Sequence, residues 1–431
     1  MSAPTPSRHY TVALVDTRWG GHHPTYLREF TASLLRIGAR AQVICRDPSG
    51  IIDSLPDGPY GDLSRHVHGH RLIHRNQGVI NPHRDHDPAS TLLRWKASGR
   101  AVAAAEQASG WRADLVFFCY LDSYLRFAPF PAIPSIFLGR PWSGLYFRNA
   151  HLADHDARVG SMLRRAAKGD RILRSAGCRA VCVLDERFND TLRALSGHPV
   201  VSFPDMTDET VPACRSEAAQ RIIQQAAGRR IIGLISMEKR KGLITLLRAA
   251  LRAHQNNEPW FFVATGPFHQ HSFSHQELQF CSDVAKRAAS GEIDNLYFDT
   301  SGDRIPDGAP FNSIFTTFDL VWAAYEGFQG SSNALTKASA FHIPLLATAG
   351  ECIGDRVEHH QLGRTFPEAD VDACIEAIRA ALAGTGPNGT PLQPRFDAYH
   401  HLHSRQRLDE VFGYFVTSAA RSPIAHWMPA R

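Results

Sequence analysis

The segment Glu326-Gly-Phe-Gln-Gly330-Ser331-Ser332-Asn333 carries the residue types best suited to chemistry in this chain. It runs into a helix-patterned stretch over 334–341 and a strand-patterned one over 344–348. Small residues at the start of a helix leave its first N–H groups open. Those amides, together with the helix dipole, attract anions. The Glu326 carboxylate, just upstream, can accept hydrogen bonds from hydroxyls. Phosphate donors beside a hydroxyl acceptor suit a sugar nucleotide. The same residues also fit an ordinary capped helix, with Ser332 or Asn333 as the cap.

Three further places hold residues of chemical interest. In Arg18-Trp-Gly20-Gly21-His22-His23-Pro24, the two glycines permit close backbone approach and Pro24 suits a first helical turn. The sequence is neither a GxGxxG fingerprint nor a P-loop, so by itself it also reads as a tight strand-to-helix turn. Either His22 or His23 could meet a sugar or an acceptor there, or simply point to solvent. In Ser236-Met-Glu-Lys239-Arg240-Lys241-Gly242, three cations follow a strand and precede a helix, which suits a diphosphate by charge and by bidentate Arg hydrogen bonding. In Gly139-Arg140-Pro-Trp142 through Tyr146 and Phe147, an aromatic run with a guanidinium follows the strand-patterned residues 133–138. Aromatic faces stack on sugars and Arg reads anionic groups, so Arg140, Trp142 and Tyr146 are acceptor-binding candidates; a loop pinned by buried aromatics is the alternative.

The elements that must position these groups alternate along nearly the whole chain. Strands are expected over 11–16, 41–45, 114–119, 133–138, 180–184 and 200–203, with helices over 24–37, 91–109, 157–176 and 186–195. After Pro204 and a polar linker the pattern restarts. Strands are expected over 230–235, 261–265, 296–299, 320–323 and 344–348, and helices over 217–227, 243–254, 277–289, 311–317, 334–341, 370–382 and 403–419. The strands are short, apolar and β-branched, as in a parallel sheet covered on both faces. The fold expected is α/β, with two Rossmann-like doubly wound domains facing a cleft. The domain boundaries are 1–204, 205–402 and a C-terminal helix and tail, 403–431, that packs back on the first domain. In that helix, Leu408, Val411, Phe412, Phe415 and Val416 follow helical spacing, so one face needs a partner.

Composition narrows the function classes. The 431 residues are 43% hydrophobic and 21% charged, with a net charge of +5, which is too mild to argue for nucleic acid. Eight scattered cysteines without a CxxC pair fit reduced thiols in the cytoplasm. The first residues lack the apolar core of a signal peptide, and no apolar run approaches a membrane span. Arg164, Arg165, Lys168, Arg171 and Arg174 make the helix over 157–176 basic, which fits either an exposed solvated face or peripheral contact with the anionic inner face of a membrane. The stretch 47–90 holds His66, His68, His70, His74, His83 and His86, a pattern that is unspecific for metal and fits a solvated loop. No metal site is expected.

Four segments, VALVDTRWGGHHPTYL, IGLISMEKRKGLITLLRAAL, FVATGP and EGFQGSSNALTKASAFHIPLLATAGECIGDRV, resemble the GT-B glycosyltransferases. They are most similar to the family 4 retaining transferases, in the same order and over nearly the whole chain. The resemblance implies two Rossmann-like domains, a nucleotide diphosphate sugar as donor substrate on the second, and a glycan, lipid-linked or small-molecule acceptor on the first. It implies sugar transfer with retention and without a metal ion or other cofactor. By position, Gly20 and Gly21 approach the donor diphosphate, and Lys241 matches the family's phosphate lysine, with Arg240 beside it. Glu326 matches the first glutamate of a pair and is the catalytic-site carboxylate that holds the donor sugar. The Gly330, Ser331, Ser332 and Asn333 amides meet the phosphates, and His22 lies toward the acceptor. Two departures stand out. Leu234 replaces the family's arginine, and the second glutamate is missing, its place falling on Ala334 or Lys337 by different alignments. An epimerase or hydrolase on the same fold, or an inactive sugar-nucleotide or glycan-binding partner, are the alternative functions.

Overall fold

The computed structural model describes residues 9–19, 23–56, 62–72, 88–125, 130–147, 169–299, 301–303 and 305–418. The chain divides into two compact units, Met1–Pro204 with Ser404–Arg431, and Asp205–His403. Each is built on one parallel sheet flanked by helices.

In unit one the strands are β1 (Thr11–Val15), β2 (Arg40–Cys45), β3 (Val67–Arg71), β4 (Leu115–Phe118), β5 (Trp142–Tyr146), β6 (Cys178–Val183) and β7 (Val200–Ser202). They stand in the order β3-β2-β1-β4-β5-β6-β7. The order reverses between β1 and β4, and the crevice beyond the strand ends at such a reversal is where doubly wound sheets take ligands. Runs such as TVALV and LVFF are buried along their whole length, because helices cover both faces. The helix Arg405–Ser418 packs on the helix His23–Arg36. Its Phe412 meets Phe30, Phe117 and Phe203 edge-on, and Arg36 grips Asp409 with two nitrogens at 2.8 Å. The apolar spacing of that helix is therefore met by a specific aromatic partner set.

In unit two the strands are β8 (Arg230–Met237), β9 (Trp260–Phe268), β10 (Leu296–Phe298), β11 (Leu320–Ala323), β12 (Leu345–Thr348) and β13 (Gly363–Phe366), in the order β10-β9-β8-β11-β12-β13. The order reverses between β8 and β11. The doubly wound α/β reading holds for both units.

Local expectations were corrected in three places. Residues Ile133–Phe137 form a helix, not a strand: Pro134 fits a first helical turn but would remove a ladder donor from a central strand. The strand lies further on, at β5, and it carries Trp142 and Tyr146 into the sheet. Both are fully buried, and Trp142 packs edge-on against Trp95 at 5.5 Å and Phe118 at 6.1 Å. Trp142 and Tyr146 are thus core residues rather than members of a binding loop. Second, β3 and the helix Pro48–Asp53 fall in the stretch 47–90 that had no assigned elements. Third, β13 was missed because its sequence, GRTF, has no apolar run. The basic helix expected over 157–176 lies outside the described residues up to 168; Gly169–Arg174 is a 3-10 turn.

Trp142→Ala should lower the stability of unit one by roughly 3–5 kcal/mol, the usual cost of emptying a buried aromatic site. Trp142→Phe should cost much less, since it keeps a ring and deletes an indole N–H that is buried without a hydrogen-bond partner among the described residues. Denaturant unfolding of the two variants checks the ordering.

Candidate functional site

The reversal point of unit two brings the sequence-predicted cations and carboxylate together. The chain leaves β8 into a 3-10 turn, Lys239–Lys241, then Gly242 and the helix Leu243–Gln255. It leaves β11 into Ala324, Tyr325 and Glu326. Gly242 has φ +73°, and a Cβ on it would lie 2.2 Å from the Ala324 carbonyl oxygen, so only glycine lets the two loops touch. Two hydrogen bonds lock the contact: Glu326 N–H donates to the Arg240 carbonyl (2.8 Å), and Trp322 Nε1 donates to the Lys241 carbonyl (3.0 Å).

The cations are arranged, not merely clustered. Arg240 Nε donates to Glu238 (2.6 Å), and its guanidinium lies 5.0 Å over the Phe328 ring. Lys241 Nζ donates to the Ile235 carbonyl (3.4 Å) and lies 3.9 Å from Glu238. Lys239 pairs instead with Glu277 at 2.7 Å. Burial would raise the Glu238 carboxyl pKa, but Lys241 and Arg240 outweigh it and hold the group below its usual range. Glu238 thus preorganises two of the three cations in the turn.

Glu326 is half-buried. Burial raises its pKa above the ordinary carboxyl value; a hydrogen bond from Thr245 Oγ1 (2.5 Å) opposes this and the nearby Glu368 adds to it. Glu368, in the loop after β13, accepts the Gly327 N–H (2.9 Å) and so fixes the turn that carries Glu326. Thr245 and Glu368 adjoin Glu326, and sequence reasoning missed both: Thr245 lies in the first turn of the helix Leu243–Gln255 and Glu368 in the loop after β13, both far in sequence from the carboxylate.

The helix Asn333–Ala340 begins beside this loop, with Ser332 as its cap. Ser332 Oγ accepts the Ala334 N–H, and lies 3.0 Å from the Tyr325 hydroxyl. The Ser331 hydroxyl donates to Asp205 and accepts from Arg356, both at 2.6 Å. The Ser331 and Asn333 backbone N–H groups have no acceptor among the described residues. Lys337 is committed elsewhere: buried, it donates to the Asp208 carbonyl and to Asn312, and burial lowers its pKa to about 8. It pins the segment entering unit two instead of reaching a ligand. Leu234, where the family's arginine would stand, is a core side chain of β8.

In unit one, Arg140 is bound by two nitrogens to Glu106 (2.9 and 2.7 Å), and Trp142 and Tyr146 lie in the sheet. The acceptor set Arg140, Trp142 and Tyr146 therefore forms no shared binding face. Gly20, Gly21 and His22 lie outside the described residues. His23 is described: its Nδ1 is 2.9 Å from Asp16 Oδ2, just past the end of β1. An Asp closing a strand with a His seven residues on was a legible signal that went unread. Among the described residues no group of three or more His, Cys, Asp or Glu is placed to hold a metal ion, and no helix is long and apolar enough to cross a membrane.

No family model matches the chain, and no curated protein does. Solved structures do. A glycosyltransferase from Rickettsia africae is 11% identical, with 96% of this chain and all of that one covered, at a TM-score of 0.62. A sucrose-phosphate synthase from Thermosynechococcus elongatus is 16% identical, with 96% and 100% covered, at 0.65. Anabaena HepE in complex with UDP-glucose is 14% identical, with 95% and 100% covered, at 0.57. The fold is GT-B. At these identities the likeness is one of architecture.

A carboxyl whose pKa is raised by folding binds protons better folded than unfolded. Its contribution favours the fold at low pH and is lost as pH rises through the raised value. Glu326→Gln, which stays neutral and can still accept from Thr245, should therefore melt higher than the wild type at neutral pH. The difference should shrink toward pH of about 4, the ordinary carboxyl range. Thermal unfolding of both proteins across that interval checks it.

Proposed function

We propose that this protein is a glycosyltransferase that moves a sugar from a nucleotide diphosphate sugar to an acceptor hydroxyl, with retention and without a metal ion. The observation that carries this reading is the meeting of Glu326, Arg240, Lys241 and the amides of Ser331 and Asn333 around one strand reversal. In the reaction, the bond from the anomeric carbon to the diphosphate oxygen breaks and its electron pair leaves with the diphosphate. Lys241, Arg240 and the helix amides neutralise that charge, which is the principal barrier-lowering work. The acceptor oxygen bonds to the anomeric carbon on the same face, and its proton passes to the departing phosphate oxygen. Glu326 accepts hydrogen bonds from donor-sugar hydroxyls and holds the ring for attack.

HepE has been solved with UDP and with UDP-glucose, and a similar protein from Burkholderia vietnamiensis is a UDP-forming trehalose-phosphate synthase, so UDP-glucose is the donor to test first. The acceptor is a glycan, a lipid-linked sugar or a small molecule held by the first unit. We place the activity in the cytoplasm, where a chain with eight cysteines as thiols is at home. A second reading, a binding protein without turnover, draws support from Lys337, whose buried position offers no carboxylate for ribose.

Lys241→Ala should weaken UDP binding by on the order of 1.5–3 kcal/mol, roughly one to two decades in Kd, by calorimetry. Glu326→Gln should cut UDP-glucose turnover far more than UDP affinity. The product's anomeric configuration, read by NMR, should match the donor's, and EDTA should leave the rate unchanged. Inverted product, or activity lost to EDTA and restored by a divalent ion, overturns the corresponding part of the reading. Tight UDP binding with no sugar released to any acceptor or to water favours the binding protein.

A further inference from the structure

Unit one has its own strand reversal, between β1 and β4, and its contents differ from those of unit two. Asp16 follows β1 directly and is 2% exposed. Its Oδ1 accepts the Arg18 N–H (2.8 Å) and its Oδ2 faces His23 Nδ1 at 2.9 Å. Tyr120, just beyond β4, supports the pair from the other side of the reversal. Its ring meets the His23 ring edge-on at 5.3 Å, and the Arg18 guanidinium lies 4.5 Å over it. The His23 side chain remains 25% exposed.

A carboxylate can only accept, so the hydrogen of a neutral His23 must sit on Nδ1. That leaves Nε2 as a fixed acceptor, and it has no partner among the described residues. A buried acid that fixes the tautomer of a partly exposed imidazole, at the place where doubly wound sheets take ligands, is built to receive a hydrogen-bond donor. We propose that Asp16 and His23 form a hydroxyl-binding site in unit one, with His23 Nε2 as the accepting atom and a sugar or similar polyol as ligand. The choice of a sugar rests on the glycosyl-transfer reading; the geometry of the acceptor atom does not. His23 would be the binding residue and Asp16 a positioning residue that acts through it.

The bland account is that Asp16 only ties the turn between Arg18 and His23. The two are separated by nitrogen NMR on the full-length chain labelled at histidine, with glucose and glucose 6-phosphate as probes. The proposal expects a Nδ1–H tautomer for His23 and a saturable shift of its Nε2 with at least one probe. Asp16→Asn, whose amide can donate to Nδ1, should move the hydrogen to Nε2 and weaken that probe roughly tenfold, the scale of one hydrogen bond. Should that variant fail to fold, His23→Gln, which offers an amide oxygen in place of Nε2, should keep more probe affinity than His23→Phe, read at the Tyr120 resonances. A Nε2–H tautomer in the wild type, or no response to either probe, overturns the proposal. A UDP-glucose titration run in parallel keeps the two readings apart. Donor binding with a silent His23 sinks only this inference, and a responsive His23 without donor binding sinks only the glycosyl-transfer reading.

Discussion

The contact between Gly242 and the Ala324 carbonyl is the constraint on which the candidate donor site depends. Two neighbouring parallel strands, β8 and β11, send their connections in opposite directions, and a gap opens above the pair. The gap is narrow only because residue 242 has no side chain and adopts a left-handed backbone. With the loops touching, the Arg240 carbonyl can receive the Glu326 N–H and the Lys241 carbonyl the Trp322 indole. Carboxylate and cations are then fixed relative to one another by backbone, the stiffest part of the chain. A side chain at 242 would push the loops apart and separate the carboxylate from the cations.

Charge is organised around that contact by opposing effects. Glu238 keeps Arg240 and Lys241 from repelling one another and is itself held ionised by them. Glu326 has the opposite balance: burial, with Glu368 adding to it, disfavours its charge, and the hydrogen bond from Thr245 opposes them. A carboxylate kept at some cost in this way gains from any further hydrogen-bond donor brought to it. Lys337 shows the contrasting case of a buried charge with a structural job. Its ammonium holds Asp208 and Asn312, and the ring of Phe311 lies 5.1 Å away.

Both units use the same device, a parallel sheet whose strand order reverses next to a strand-to-helix turn, with different chemistry at the reversal. Unit two presents cations, amides and a carboxylate. Unit one presents an imidazole backed by a buried acid, next to an arginine stacked on a tyrosine. The aromatic body of unit one, from Trp95 through Phe118, Tyr124 and Trp142, lies beneath that reversal and gives it a rigid floor.

The sequence by itself determined the architecture. Apolar strand runs of four to six residues, helical spacing between them and a restart after Pro204 were enough for two doubly wound units, because a parallel sheet covered on both faces leaves its strands few polar positions. It also set Arg240, Lys241 and Glu326 just past the ends of two strands. What it left undecided were the short ambiguous elements. Residues 133–138 are equally apolar as helix or strand, and choosing wrongly moved Trp142 and Tyr146 from the core into a loop. Thr245, Glu368, Asp205 and Arg356 could be found only in the tertiary structure. Each is distant in sequence from the group it touches, and hydrogen bonds across 25 to 126 residues follow no local period. Local pattern fixes which face of an element is buried; only the packed fold decides which polar groups meet where the elements end.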